Sequence, residues 1–143
     1  MASSADNLAK LQDAYRRWNE TKGKDTTMWK SLFSEKVLLR SLAAGRPGME
    51  FTLECQSPKD IDRYFEGLTG QWDMIHYTTR SFAVDGDHIV MLGSTSWKHK
   101  TTGGVFDTPK VDLVSFRDGR VVQFFEFYDT EMVMAAAKGL SIK

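Results

Sequence analysis

The stretch Thr108–Thr130, TPKVDLVSFRDGRVVQFFEFYDT, decides how the rest of the chain is read. Two segments rich in β-branched and aromatic residues flank Arg117-Asp118-Gly119-Arg120, and an Asp-Gly pair between such segments is a strong hairpin signal. Each segment carries an acid in apolar company, Asp112 in the first and Glu126 in the second. Strand side chains alternate between faces, so Asp112 shares a face with Lys110, Val114 and Phe116, and Glu126 shares one with Phe124 and Tyr128. Burying a carboxylate there is costly unless something satisfies it, so the hairpin predicts a lined pocket in a small α+β domain.

Upstream of this hairpin, Asp85-Gly86-Asp87 and Thr101–Gly104 mark two further turns. They separate predicted strands over 72–84, 88–99, 105–116 and 121–129, an antiparallel meander whose first member is bent or bulged because its alternation is imperfect. Strands joined by turns rather than helices argue against a dinucleotide-binding fold. Asp129 is placed to cap a short terminal helix over 131–138.

The N-terminal half is helical. Asp6 is a candidate cap for a helix over 7–20, in which Leu8, Leu11, Tyr15 and Trp18 share one face. Asp25 or Thr26 opens a second, short helix with Trp29, Leu32 and Phe33 as its apolar stripe. A strand over 37–42 follows, then a loop over 44–49 and a short extended piece over 51–55. Ser57-Pro58-Lys59-Asp60 has a serine cap, proline at the first helical position and an acid at the third. The helix it starts buries Ile61, Tyr64, Phe65 and Leu68, with Gly67 and Gly70 expected at its end. Helices followed by a curved antiparallel sheet predict an α+β cone, wrapped around the N-terminal helices and open at one end.

The chain has 143 residues, 41% hydrophobic and 27% charged, enough for one domain, residues 1–143, with a real core. Basic and acidic residues balance at 19 each, so the basic excess of a nucleic-acid-binding surface is missing. A single cysteine, Cys55, rules out an intrachain disulfide. No apolar run approaches the roughly 20 residues of a membrane span, and the first residues lack the apolar core of a secretory signal. The expectation is a soluble cytoplasmic protein without nucleic-acid or membrane partners.

Four residues are candidates for chemistry. A desolvated Asp112 can stay protonated and donate a hydrogen bond to a developing oxyanion; the plainer alternatives are a pair with Lys110 or a backbone amide, or exposure to solvent. Tyr15, on the buried stripe of the first helix, needs a partner for its phenol, and Asp112 suits it. Glu126 or His76 is the candidate proton carrier. Trp18, Trp72, Trp97, Val114, Phe116, Phe124 and Tyr128 are the candidate pocket lining. The three histidines have no metal-ligand spacing, and the Gly103-Gly104 turn lacks the context of a phosphate loop, so neither metal nor cofactor is expected.

The order of elements, together with Tyr15, Trp18, Asp112, Phe116, Gly119 and the FFEFYDT segment, resembles the SnoaL-like branch of the NTF2-like superfamily, which includes polyketide cyclases and ketosteroid isomerases. The resemblance implies that Tyr15 and Asp112 correspond to the oxyanion-binding tyrosine and protonated aspartate of the isomerases. It puts Ser41 where their general base stands. Against the limonene-type epoxide hydrolases, Glu126 stands at the place of a catalytic aspartate. The resemblance implies isomerisation or ring closure of a small hydrophobic carbonyl compound through an enolate. Cofactor-free binding of an apolar ligand and a dimerisation or adaptor role stay open beside it, and a homodimer formed through the sheet is expected in each case.

Overall fold

In the computed structural model, which describes residues 3–140, four helices lie against one five-stranded, curved and unclosed sheet. The Asp118-Gly119 turn joins β4 (Val105–Arg117) to β5 (Arg120–Tyr128). Both turn residues have positive φ, 52° and 77°, as a tight hairpin matching the strand twist requires. The other two turns join β2 (Trp72–Asp85), β3 (His88–His99) and β4, so β2 to β5 form the expected antiparallel meander. Register shifts between Met74 and His76 and between Thr79 and Ser81 are the irregularities that broke the alternation of β2.

The sheet is not wholly antiparallel. Its order is β1-β5-β4-β3-β2, and β1 (Phe33–Ser41) runs parallel to β5. A helical crossover lets β1 occupy the far edge, and the odd number of hairpins that follows brings β5 alongside it in the same direction. β1 also starts earlier than expected, with Phe33 as its first residue rather than part of a helical stripe.

α1 (Ser4–Glu20) is capped by Ser3, while Asp6 is the acid of the capping box and not the cap. α2 (Thr27–Leu32) is a single short element. The predicted extended piece over 51–55 is instead a 3-10 turn, Glu50–Thr52, followed by one bridge from Cys55 to Leu39. α3 (Pro58–Gln71) has the expected Ser57 cap but continues past both glycines. Gly67 is there for packing: a Cβ would lie 2.2 Å from that of Phe51. Asp129 caps α4 (Thr130–Ala137), as expected.

The concave face of the sheet holds the core. α1 packs on β2, α3 on β1 and β2, and α4 on β4 and β3. Leu11, Tyr15 and Trp18 of α1 belong to one buried core with Ile89, Met91, Val114, Phe116 and Val121 of the strands.

Candidate functional site

The β4 alternation points Thr108, Lys110 and Asp112 to the concave face, and β4–β5 pairing sets Asp112 opposite Glu126 and Lys110 opposite Tyr128. Asp112 is wholly buried, at 0% exposure. Three donors surround it: the Tyr15 and Tyr77 hydroxyls donate to Oδ2 at 2.6 and 2.7 Å, and Lys110 Nζ donates to Oδ1 at 2.5 Å. Lys110 Nζ also donates to the Tyr77 hydroxyl at 3.1 Å and stands 3.8 Å from Glu126 Oε1. Glu126 accepts from the Tyr64 hydroxyl of α3, at 2.6 Å to Oε1. One ammonium thus faces two buried carboxylates held by three tyrosines.

Burial pushes Glu126 above the usual carboxylate range; the charge of Asp112 adds to this, while Lys110 and the Tyr64 hydrogen bond oppose it. Burial, and then the adjoining carboxylate, hold Tyr15, Tyr77 and Tyr64 well above the ordinary phenol range, so they stay protonated as donors. Cys55 is pushed up to about 11 by burial and is hydrogen-bonded to the carbonyl of Asp60, the setting of an inert thiol.

Beside this cluster lies a cavity of about 80 Å³ measured by the centres of water-sized spheres, room for several such groups. Its wall is mostly aromatic, and Lys110, Glu126, Tyr64 and Tyr77 are its polar sector. Of the seven residues expected to line a pocket, Trp18, Trp72, Trp97, Phe124 and Tyr128 border this cavity. Val114 and Phe116 do not; they are buried in the core away from the cavity wall.

The predicted Tyr15–Asp112 contact forms, but neither residue borders the cavity, and every Asp112 oxygen already accepts from a protein donor. An oxyanion hole made from this pair has no access to a bound molecule. Glu126 does face the cavity. His76 does not: the β2 irregularity before it turns it outward, where Nδ1 pairs with Thr78 Oγ1 at 3.1 Å and Nε2 stands 3.9 Å from Asp107. Ser41 is buried and bonded to the Tyr128 hydroxyl, whose oxygen also accepts from Ala43 N–H.

In the sequence, Lys110 stands out only as a partner for Asp112, and Tyr64 only as part of an apolar helical stripe. Two signals marked them: a lysine one strand period from a buried acid, and a tyrosine in an apolar helical stripe, whose hydroxyl must find an acceptor. Among the described residues, no group of three or more His, Cys, Asp or Glu side chains is arranged to hold a metal ion, and no helix is long and apolar enough to cross a membrane.

Four helices against a curved, unclosed five-stranded sheet are the architecture shared with the NTF2-like proteins. The sequence model of the SnoaL-like domain matches residues 11–124, and the chain belongs to that family. No curated protein matches it. Among solved structures, an NTF2-like protein of unknown function from Burkholderia pseudomallei is 16% identical with a TM-score of 0.82, over 96% of this chain and 98% of that one. A SnoaL-like polyketide cyclase, so named, from a Jannaschia species is 15% identical with a TM-score of 0.73, over 94% and 92%. A hypothetical protein with a ketosteroid isomerase-like fold from Catenulispora acidiphila, in complex with trimethylamine, is 16% identical with a TM-score of 0.72, over 92% of each chain. At these identities the likeness is one of fold.

Proposed function

We propose that the protein is a small enzyme that moves a proton beside the carbonyl of a hydrophobic compound, leading to isomerisation or ring closure. One observation carries this reading: Glu126 is a carboxylate on the wall of an otherwise apolar cavity, with a lysine ammonium 3.8 Å away. Burial makes Glu126 a stronger base than a solvated carboxylate. It takes a proton from the carbon next to the carbonyl, and the electron pair moves onto the carbonyl oxygen. Lys110 then donates to that enolate oxygen with the N–H not spent on Asp112 or Tyr77. In a β,γ-unsaturated ketone the enolate is a dienolate, and return of the proton from Glu126 to its far carbon completes an isomerisation; attack of the enolate carbon on a second carbonyl closes a ring, and the alkoxide so formed takes the proton back from Glu126. Lys110 thereby takes the part expected of Tyr15 and Asp112; Asp112 holds the ammonium from behind the wall, and Tyr15 in turn holds Asp112. No step calls for a cofactor.

The test is α-hydrogen exchange in D2O, followed by NMR, on a panel of enolisable ketones such as 2-tetralone and 1-indanone. Glu126→Gln is expected to lower an exchange rate above buffer by about 10²–10⁴-fold. A second reading, ligand binding without turnover, is favoured by the fact that the Asp112 and Glu126 carboxylates both have protein donors. Ketone binding with no exchange above buffer removes the enzymatic reading and leaves this one.

The convex face of the sheet supports the pairing of two copies. Val111, Leu113, Phe125 and Phe127 lie half-buried there beside Leu92, which is 44% exposed, and cross-strand pairing makes them one apolar patch.

A further inference from the structure

The two buried acids are held very differently. Asp112 accepts from three groups, Tyr15, Tyr77 and Lys110. Glu126, the acid on the cavity wall, accepts from one among the described residues, the Tyr64 hydroxyl. Lys110 Nζ is 3.8 Å from Glu126 Oε1, too far for a hydrogen bond, and its nearer bonds go to Asp112 and Tyr77. The direct hold on the Glu126 carboxylate therefore falls to Tyr64.

The Tyr64 hydroxyl oxygen lies 2.6 Å from Oε1 and 2.5 Å from Oε2, so it sits between the two carboxylate oxygens rather than on one. The last torsion of a glutamate is soft, and a carboxylate held at one oxygen still turns about it. A donor in the cleft between both oxygens opposes that turning, and a hydrogen bond to a charged acceptor is among the strong ones. Burial, and then the charge of Glu126, keep the phenol protonated, so Tyr64 stays a donor.

Packing fixes the phenol in turn. The buried face of α3 carries Ile61, Tyr64 and Phe65. The Tyr64 ring meets Phe51 edge-on at 5.7 Å and Phe65 edge-on at 5.6 Å between centroids. Phe51 occupies the space that a side chain at Gly67 would need. A group that orients another has to be locked in this way by its own neighbours.

We infer that Tyr64 is a positioning residue for Glu126, fixing the carboxylate on the cavity wall and moderating its hold on a proton. This rests on the function proposed above and deepens it. A carboxylate buried without a donor carries its proton at neutral pH and cannot accept another. The Tyr64 hydrogen bond, together with the Lys110 charge, opposes that effect of burial. Tyr64 acts through Glu126, which exchanges the proton with the substrate.

The test is a carbon NMR titration of the full chain labelled at the Glu carboxyl and the Tyr Cζ, with the Glu126 resonance identified by its loss in Glu126→Gln. Tyr64→Phe keeps the ring and removes the hydroxyl. It is expected to raise the Glu126 pKa by about one to two units, the value of a hydrogen bond to a charged group. In the ketone exchange assay the rising limb of the pH–rate profile is expected to move to higher pH by the same amount, because the base must be ionised to accept a proton. A purely structural loss would lower the rate at every pH and leave the limb in place. In the unaltered protein the Tyr64 Cζ resonance, assigned through its ring contacts to Phe51 and Phe65, is expected to titrate together with Glu126. That measurement decides the matter even if Tyr64→Phe does not fold. A Glu126 titration unchanged in folded Tyr64→Phe, or a Tyr64 resonance that does not follow Glu126, overturns the inference. A shifted titration with no exchange of any ketone upholds the hold of Tyr64 on Glu126 and removes the enolisation reading alone.

Discussion

Around the Lys110–Asp112–Glu126 cluster, the two faces of β4 and β5 invert the usual arrangement of a sheet. The concave face, shut away from solvent, carries Lys110, Asp112 and Glu126; the convex face carries Val111, Leu113, Phe125 and Phe127. Over Lys110–Leu113 of β4 and Phe125–Phe127 of β5, the polar residues point inward and the apolar ones outward, the opposite sense to a half-exposed antiparallel strand, while Val114, Phe116, Val121 and Phe124 keep the rest of the inner face apolar. A buried charged cluster weakens a core unless it is fully satisfied, and an apolar outer face invites association. The lesson is that each face carries a burden that stability alone does not explain. The inner one is consistent with chemistry at the cavity, and the outer one with a partner surface.

The sharpest way to break the comparison is to remove the cation from the inner face. Among the described residues, Lys110 is the ion-pair partner of both Asp112 and Glu126. Lys110→Met leaves two buried carboxylates without counter-charge and is expected to cost about 3–5 kcal/mol at neutral pH, read from urea unfolding. A loss below about 1 kcal/mol would show that the cluster is solvated rather than closed.

The outer face is tested next. Leu92→Glu puts a charge into the apolar patch without touching the cluster, and is expected to weaken self-association by about 2 kcal/mol or more, seen by sedimentation across a concentration series. If the unaltered chain already sediments as a monomer at every concentration, the convex face does not pair copies.

A smaller effect comes from pH. Burial raises Glu126 in the folded state relative to the unfolded chain, so folding favours its protonated form. The stability linked to this group is fully present below the unfolded carboxylate range and is lost as pH rises through the folded value, at up to about 1.4 kcal/mol per pH unit. Glu126→Gln is expected to flatten that slope in urea unfolding between pH 4 and 8; an unchanged slope would assign it to other groups. Smallest of all is His76→Ala, which removes a residue lying outside the cavity. It is expected to change stability by less than about 0.5 kcal/mol and to leave ketone exchange as it was.

Much of this was legible in the chain. The Asp118-Gly119 turn, the Ser57-Pro58 start and the alternation of β3 to β5 are local signals, governed by backbone preferences and by strand period, and they specify most elements without reference to distant residues. The same alternation put Lys110 and Asp112 on one face and marked Glu126 as an acid among aromatics. The misplaced details have specific causes. α3 continues past Gly67 because Phe51, sixteen residues upstream, leaves no room for a side chain there. His76 turns outward because β2 slips register beside it.

What the sequence by itself determined was therefore the kinds of element, their order and the presence of buried acids, since each follows from neighbours a few residues apart. The tertiary structure alone decided that β1 joins β5 in parallel, that Tyr64 and Tyr77 converge on the carboxylates, and that Asp112 lies behind the wall while Glu126 faces the cavity. These outcomes depend on how separate elements pack together in three dimensions, and no local pattern along the chain encodes which of two buried acids the closing helices will cover.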